Sequence, residues 1–178
     1  RSARKIVVSG SLTDFVVLRN QFSDEELVCA VNNFLEICSI ACIEYGGQVI
    51  KYSGGCFVAH FEIHQIDSAI ASCVDAFNKF KEQAKLYPSD KVMNCGFGLA
   101  SGMVAEGNIG SSIKMDYTIL GNAVNQAIQL GEIARNINKV ILINESFQID
   151  IVKSWKFEDA GTFAFKETNE SRRVYSLE

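Results

Sequence analysis

The sequence predicts an α+β fold with a ferredoxin-like βαββαβ core, extended by further strands and a third helix. Three observations predict it. Two stretches of apolar residues at helical spacing alternate with short β-branched or aromatic runs. A Ser-Gly-Gly turn separates one pair of those runs, as in a hairpin, and a third helical pattern lies between later strands. With 178 residues, 48% hydrophobic and 21% charged, the chain is one globular domain, residues 1–178, large enough to bury a core without staples.

The elements follow in order. Lys5-Ile-Val-Val-Ser-Gly10 is a short apolar strand. Ser23-Asp-Glu-Glu26 has the form of a capping box, and Leu27, Val31, Phe34, Leu35, Cys38 and Cys42 then recur at helical spacing to about Tyr45. Gly46-Gly47 ends that helix. Gln48–Tyr52 and Cys56–Phe61 flank Ser53-Gly54-Gly55 as a β-hairpin. Ile66, Ile70, Cys73, Val74, Phe77 and Phe80 form the second helix, which stops before Tyr87-Pro88. Val92–Ala100 is a strand, paired with Val104–Glu106 across Ser101-Gly102. Tyr117–Leu120 is extended, and Gly121–Asn125 opens a third helix carrying Val124, Ala127, Ile128 and Ile133. Val140–Ile143 is a buried strand, and 157–159, 162–165 and 173–177 close the fold.

Several function classes lose weight on composition. A net charge of −4 and a pI near 5.3 disfavour a nucleic-acid partner. Phe57 and Phe61 share a strand face, as base stacking would require, but the basic residue of an RNA-binding strand is missing. His60 and His64 lack a third metal ligand and are expected to be surface or hydrogen-bonded histidines. The six cysteines form no C-x-x-C and are expected to be packed, reduced thiols, which places the chain in the cytoplasm. No apolar run approaches the ~20 residues needed to span a bilayer. Arg1–Lys5 has no signal-peptide character and no initiator Met, so a domain excised from a longer chain is expected. The glycine-rich segment 96–110 lacks the G-K-[ST] of a phosphate loop and is expected to be a tight hairpin.

Four segments taken together resemble the catalytic domain of class III nucleotidyl cyclases. They are Gly46-Gly-Gln-Val-Ile-Lys51, Gly96-Phe-Gly-Leu-Ala-Ser-Gly102, Glu106-Gly-Asn-Ile-Gly-Ser111 and Asp116-Tyr-Thr-Ile-Leu-Gly-Asn-Ala-Val-Asn125. The likeness is greatest to the cyclase domains of BLUF-linked, light-activated adenylyl cyclases. The resemblance implies a head-to-tail homo- or heterodimer with active sites at the interface. One protomer supplies metal-binding aspartates, and the other supplies base-reading and phosphate-binding residues.

The carry-over is selective. The resemblance places the family's two metal aspartates at Ser11 and Gly55, where no carboxylate remains. Mg²⁺ requires hard anionic oxygens, which a hydroxyl and a bare glycine do not replace. Asp14 is expected on the opposite strand face from Ser11. Lys51 falls at the base-reading lysine and Thr118 at its partner, an adenine-type pair. Asn125 matches the ribose-orienting asparagine. Gln129 replaces the transition-state arginine, and Thr168 stands at the phosphate-binding lysine. The expectation is a degenerate adenylyl-cyclase-type domain that dimerises with or regulates a competent one. It would use no cofactor of its own, and Mg²⁺ or Mn²⁺ only if a partner supplied the aspartates. The alternatives are a catalytic subunit of a heterodimer converting ATP to cAMP, and an adenine-nucleotide sensor. An attached sensor or regulatory domain is a further expected partner.

Overall fold

The computed structural model describes residues 1–150, 155–166 and 168–178. An eight-stranded sheet runs in the order β2-β3-β1-β4-β6-β8-β7, with β5 paired to β4 off that path. Its first four strands, β2-β3-β1-β4, are antiparallel neighbours and form the expected core. β1 (Ser2–Leu12) lies between β3 (Cys56–Glu62) and β4 (Cys95–Gly110). β2 (Gln48–Ser53) and β3 are the expected hairpin. β6 (Ile141–Asn144) pairs parallel to β4. β8 (Ser171–Leu177) and β7 (Phe157–Ala164) close the sheet.

Helices cover both faces. α2 (Asp24–Glu44) begins with the expected capping box: Ser23 Oγ accepts from Glu26 N–H, and Glu26 accepts from Ser23 N–H. With α3 (Ile66–Ala84) it buries Ile6, Val8, Leu12, Phe57, Phe61 and Phe97 beneath it. Phe57 and Phe61 are therefore core residues, not a stacking platform. α2 passes the length and composition test for a membrane span, contrary to the sequence expectation, yet it packs on the sheet through Ala30, Phe34, Cys38, Ala41 and Cys42. α4 (Asn122–Asn136) crosses the opposite face over Val7, Val58, Ala100 and Val104. A short α5 (Glu145–Asp150) follows β6.

Three expectations need correction. β4 does not turn at Ser101-Gly102: it runs on as one strand, with Ser101 opposite Ile6 and Gly102 opposite Lys5. The tight turn lies further on, where Ser111 N–H bonds Lys114 O before β5 (Met115–Leu120). A helix absent from the sequence reading, α1 (Phe15–Gln21), follows β1 directly. His60 is neither exposed nor hydrogen-bonded: it is buried on β3 with both ring nitrogens unpartnered.

α4 sits unusually close to β4. A Cβ at Gly98 would lie 2.2 Å from Ala127 O and 2.4 Å from Gly131 N, and one at Gly96 would lie 2.3 Å from Arg135 N. The missing side chains let the helix backbone rest on the strand, which brings the last turn of α4 over the end of β1.

His60 yields a pH prediction. Burial lowers its pKa below 6.5, and the Lys5 ammonium adds to this against the opposing Glu106 and Glu62 carboxylates. The folded protein thus binds this proton less readily than the unfolded chain. Its stabilising contribution is complete above about pH 6.5 and is lost as pH falls below that value toward the folded pKa. Urea unfolding at pH 7.5 and 5.5 should show wild type losing more stability than His60→Leu. An equal loss in both would refute the assignment.

Candidate functional site

Four of the candidate site residues fall into two cavities, Ser11 and Gly55 in one and Lys51 and Thr118 in the other, while Asn125, Gln129 and Thr168 line neither. The first, about 250 Å³, opens at the end of β1 and includes Ser11, Gly55, Asp14, Glu132 and Arg135 in its walls. Strand alternation turns Ser11 toward α4, on the face of Val7. The Leu12 N–H bonds Gly55 O at 2.9 Å, tying the β2–β3 turn to β1. Ser11 and Gly55 therefore meet, as the resemblance implies. The ring of Phe15 closes over the turn, and a Cβ at residue 55 would lie 3.1 Å from it.

Asp14 is not on the far face of a strand. β1 ends at Leu12, Thr13 bonds Asn94, and Asp14 caps α1 by accepting from Val16 N–H at 2.8 Å. Its carboxylate thus shares the cavity with Ser11. Glu132 lines it as well, but the described residues hold no group of three or more His, Cys, Asp or Glu placed to bind a metal. Mg²⁺ is held by one or two carboxylates with water and substrate phosphate, and this donor set does not fit it: Asp14 is engaged in capping α1, and the oxygens of Ser11 and Leu12 already face a cation of the chain itself. Instead, Arg135 reaches in from the last turn of α4. Its Nη1 donates to Ser11 Oγ at 3.0 Å and to Leu12 O at 2.7 Å. Sequence reasoning missed Arg135, because its partner Ser11 lies 124 positions away.

The second cavity, about 430 Å³, lies between β2 and β5 and brings Lys51 and Thr118 together, with Ile50, Ile109, Asp116 and Tyr117. A register shift in β2 between Val49 and Lys51 re-aims the strand there. Tyr117 donates to Glu106 Oε2 at 2.5 Å, and this bond holds the Glu106 carboxyl below its usual range. The two cavities share no lining residue.

Asn125 and Gln129 lie on successive turns of α4, four residues apart and so on one face. Gln129 Oε1 accepts from the backbone N–H of Lys166 at 3.1 Å, which fastens the β7–β8 connection to α4. Thr168 lies in that connection, but its Oγ1 accepts from Glu170 N–H at 3.4 Å. The residue tied to Gln129 is Lys166, a cation two positions upstream that sequence reasoning also passed over.

A ferredoxin-like core with a helix laid on the opposite face is the architecture of class III nucleotidyl-cyclase domains. The chain belongs to the adenylate and guanylate cyclase catalytic domain family, whose model matches residues 6–178. It is 25% identical over 144 residues to the photoactivated adenylate cyclase subunit beta of Euglena gracilis, covering 79% of this chain and 17% of that protein. An adenylate cyclase of Anabaena cylindrica is 28% identical over 127 residues, covering 68% of this chain and 25% of that protein. Among solved structures, a bacterial light-regulated adenylyl cyclase matches with TM-score 0.89 and 30% identity, over 99% of this chain and 51% of that one. The adenylyl cyclase CyaB from P. aeruginosa shares the fold, with TM-score 0.86 and 24% identity over 100% of this chain and 96% of that one. The chain therefore spans a minor part of the curated relatives and about half of the light-regulated enzyme.

Proposed function

We propose that this chain is a degenerate adenylyl-cyclase-type domain that acts by pairing with a competent cyclase domain. The observation that carries the proposal is the first cavity. The family resemblance assigns the metal-aspartate positions to Ser11 and Gly55, which carry no carboxylate, and a guanidinium lies against Ser11. Gln129 at the arginine position removes a second preorganised charge, and losing one such group typically costs on the order of 10²–10³ in rate.

Pairing is supported by the β4–β5 arm. Ile113 is 94% exposed, Met103 61% and Met115 57%, with Ile109 and Leu120 also open to solvent. By the register of the arm Met103, Ile109 and Leu120 share one face, and exposed apolar side chains grouped there suit a protein interface. A partner with intact aspartates would bring Mg²⁺ or Mn²⁺ to Lys51, Thr118 and Asn125 of this chain. There Lys51 would donate to a ring nitrogen of adenine, the Thr118 hydroxyl would accept from its exocyclic amine, and Asn125 would orient the ribose. The retained base cavity thus favours a second reading, an adenine-nucleotide site in a composite enzyme or sensor. The names of the light-regulated relatives support an attached sensor domain. Free thiols at all six cysteines support a cytoplasmic setting.

The test is cAMP formation by the purified domain with ATP and Mg²⁺ or Mn²⁺, read by mass spectrometry beside sedimentation equilibrium. The expected result is no product above a denatured control, together with self-association weakened by Leu120→Asp. Steady cAMP formation that disappears in Lys51→Ala would overturn the degenerate reading. A strict monomer at high concentration would overturn the pairing.

A further inference from the structure

The first cavity contains a cation of its own. At the end of β1, two oxygens stand ready for a hard cation: the hydroxyl of Ser11 and the carbonyl of Leu12. Arg135 Nη1 already donates to both. The guanidinium brings a positive charge and a planar fork of N–H donors to this spot. Arg135 is also placed from the backbone outward. Asn94 Nδ2 donates to Arg135 O at 2.9 Å, Nε donates to Asn136 Oδ1 at 3.2 Å, and Gly96 leaves no room beneath the Arg135 amide for more than a hydrogen. Asp14 and Glu132 line the same cavity, but neither forms an ion pair with Arg135 among the described residues.

We propose that Arg135 is a resident replacement for the divalent metal, locking α4 to β1 and excluding metal even where carboxylates are restored. The inference rests on reading Ser11 and Gly55 as the metal positions. A carboxylate put back at residue 11 would extend from the atom that Nη1 already contacts. It would pair with the guanidinium, which competes with any metal for the same oxygens. A charge within about 4–6 Å alters the proton affinity of a carboxylate by one to three pKa units, and a metal competing for those oxygens faces a penalty of similar size.

The test measures Mn²⁺ binding by the electron paramagnetic resonance of free Mn²⁺, without nucleotide. The proteins are wild type, Ser11→Asp/Gly55→Asp, and that pair combined with Arg135→Gln. Wild type should show no saturable binding. The triple variant should bind about tenfold or more tightly than the double. A double variant that binds as tightly as the triple would overturn the role of Arg135 alone. Saturable Mn²⁺ binding by wild type would instead overturn the degenerate reading of the site.

Circular dichroism checks folding, because an aspartate at 55 must displace Phe15 slightly. A second measurement needs only Ser11→Asp. In metal-free buffer its melting temperature should fall less with Arg135 present than in the Arg135→Gln background. Equal falls in both backgrounds would also reject the proposal.

Discussion

Gly98→Ala is expected to destabilise the domain by about 3 kcal/mol or more, at the upper end of overpacking costs. The added methyl would lie 2.2 Å from Ala127 O and 2.4 Å from Gly131 N, both backbone atoms of α4. No rotamer change can relieve a clash with backbone, so the helix must lift from the sheet. Lifting it loosens the contacts of Val124, Ala127 and Leu130 with the strands below and withdraws Arg135 from Ser11. Gly107→Ala is the control: its Cβ would meet nothing within 4 Å, and its effect should stay within about 0.5 kcal/mol. Urea denaturation should show a lower midpoint for Gly98→Ala at unchanged slope. Two equal midpoints would mean that α4 does not rest on β4 at this height.

Gln129→Arg is expected to tighten ATP binding about tenfold and to leave adenosine unchanged. A charge-assisted hydrogen bond to phosphate contributes about 1.5–3 kcal/mol, and each 1.4 kcal/mol is tenfold in affinity. The substitution removes the bond that Gln129 accepts from Lys166 N–H, which costs about 1 kcal/mol of stability and frees the new guanidinium to turn outward. Calorimetry with ATP, GTP and adenosine separates the two halves of the site. Unchanged ATP affinity would reject the placement of Gln129 at the phosphates. Equal affinity for ATP and GTP in wild type would reject base reading by Lys51 and Thr118.

Elements whose signals are local were legible in the sequence. The Ser23 capping box, the periodicity of α2 and α3, and the hairpin around Ser53-Gly54 were each specified within a few residues of chain. Elements decided by distant partners were not. Ser101-Gly102 has the composition of a turn, but pairing with Ile6 and Lys5 keeps it extended. Phe15-Val-Val-Leu18 has strand propensity, and only the Asp14 cap marks it as helix. That error also misplaced Asp14, because a face count assumes that the strand continues. The grouping of Ser11 with Gly55, and of Lys51 with Thr118, followed from family resemblance and is realised by sheet register. Arg135 entering from α4 has no trace in local pattern, and neither has a His60 buried without a partner.

The position of β1 has a consequence for how the chain is made. Every residue from Lys5 to Leu12 is buried, and the strand is flanked on both edges by segments that follow it. Its pairing with β4 runs from Leu12 opposite Cys95 to Ser2 opposite Ala105. A ribosome therefore releases the middle of the sheet first and its second edge partner only after both large helices. Until then, an apolar strand with one edge unpaired waits in the nascent chain, the kind of segment that chaperones shield. Assembly of the domain should be gated by the emergence of residues 95–105 and, being dominated by non-local pairing, slow for its size.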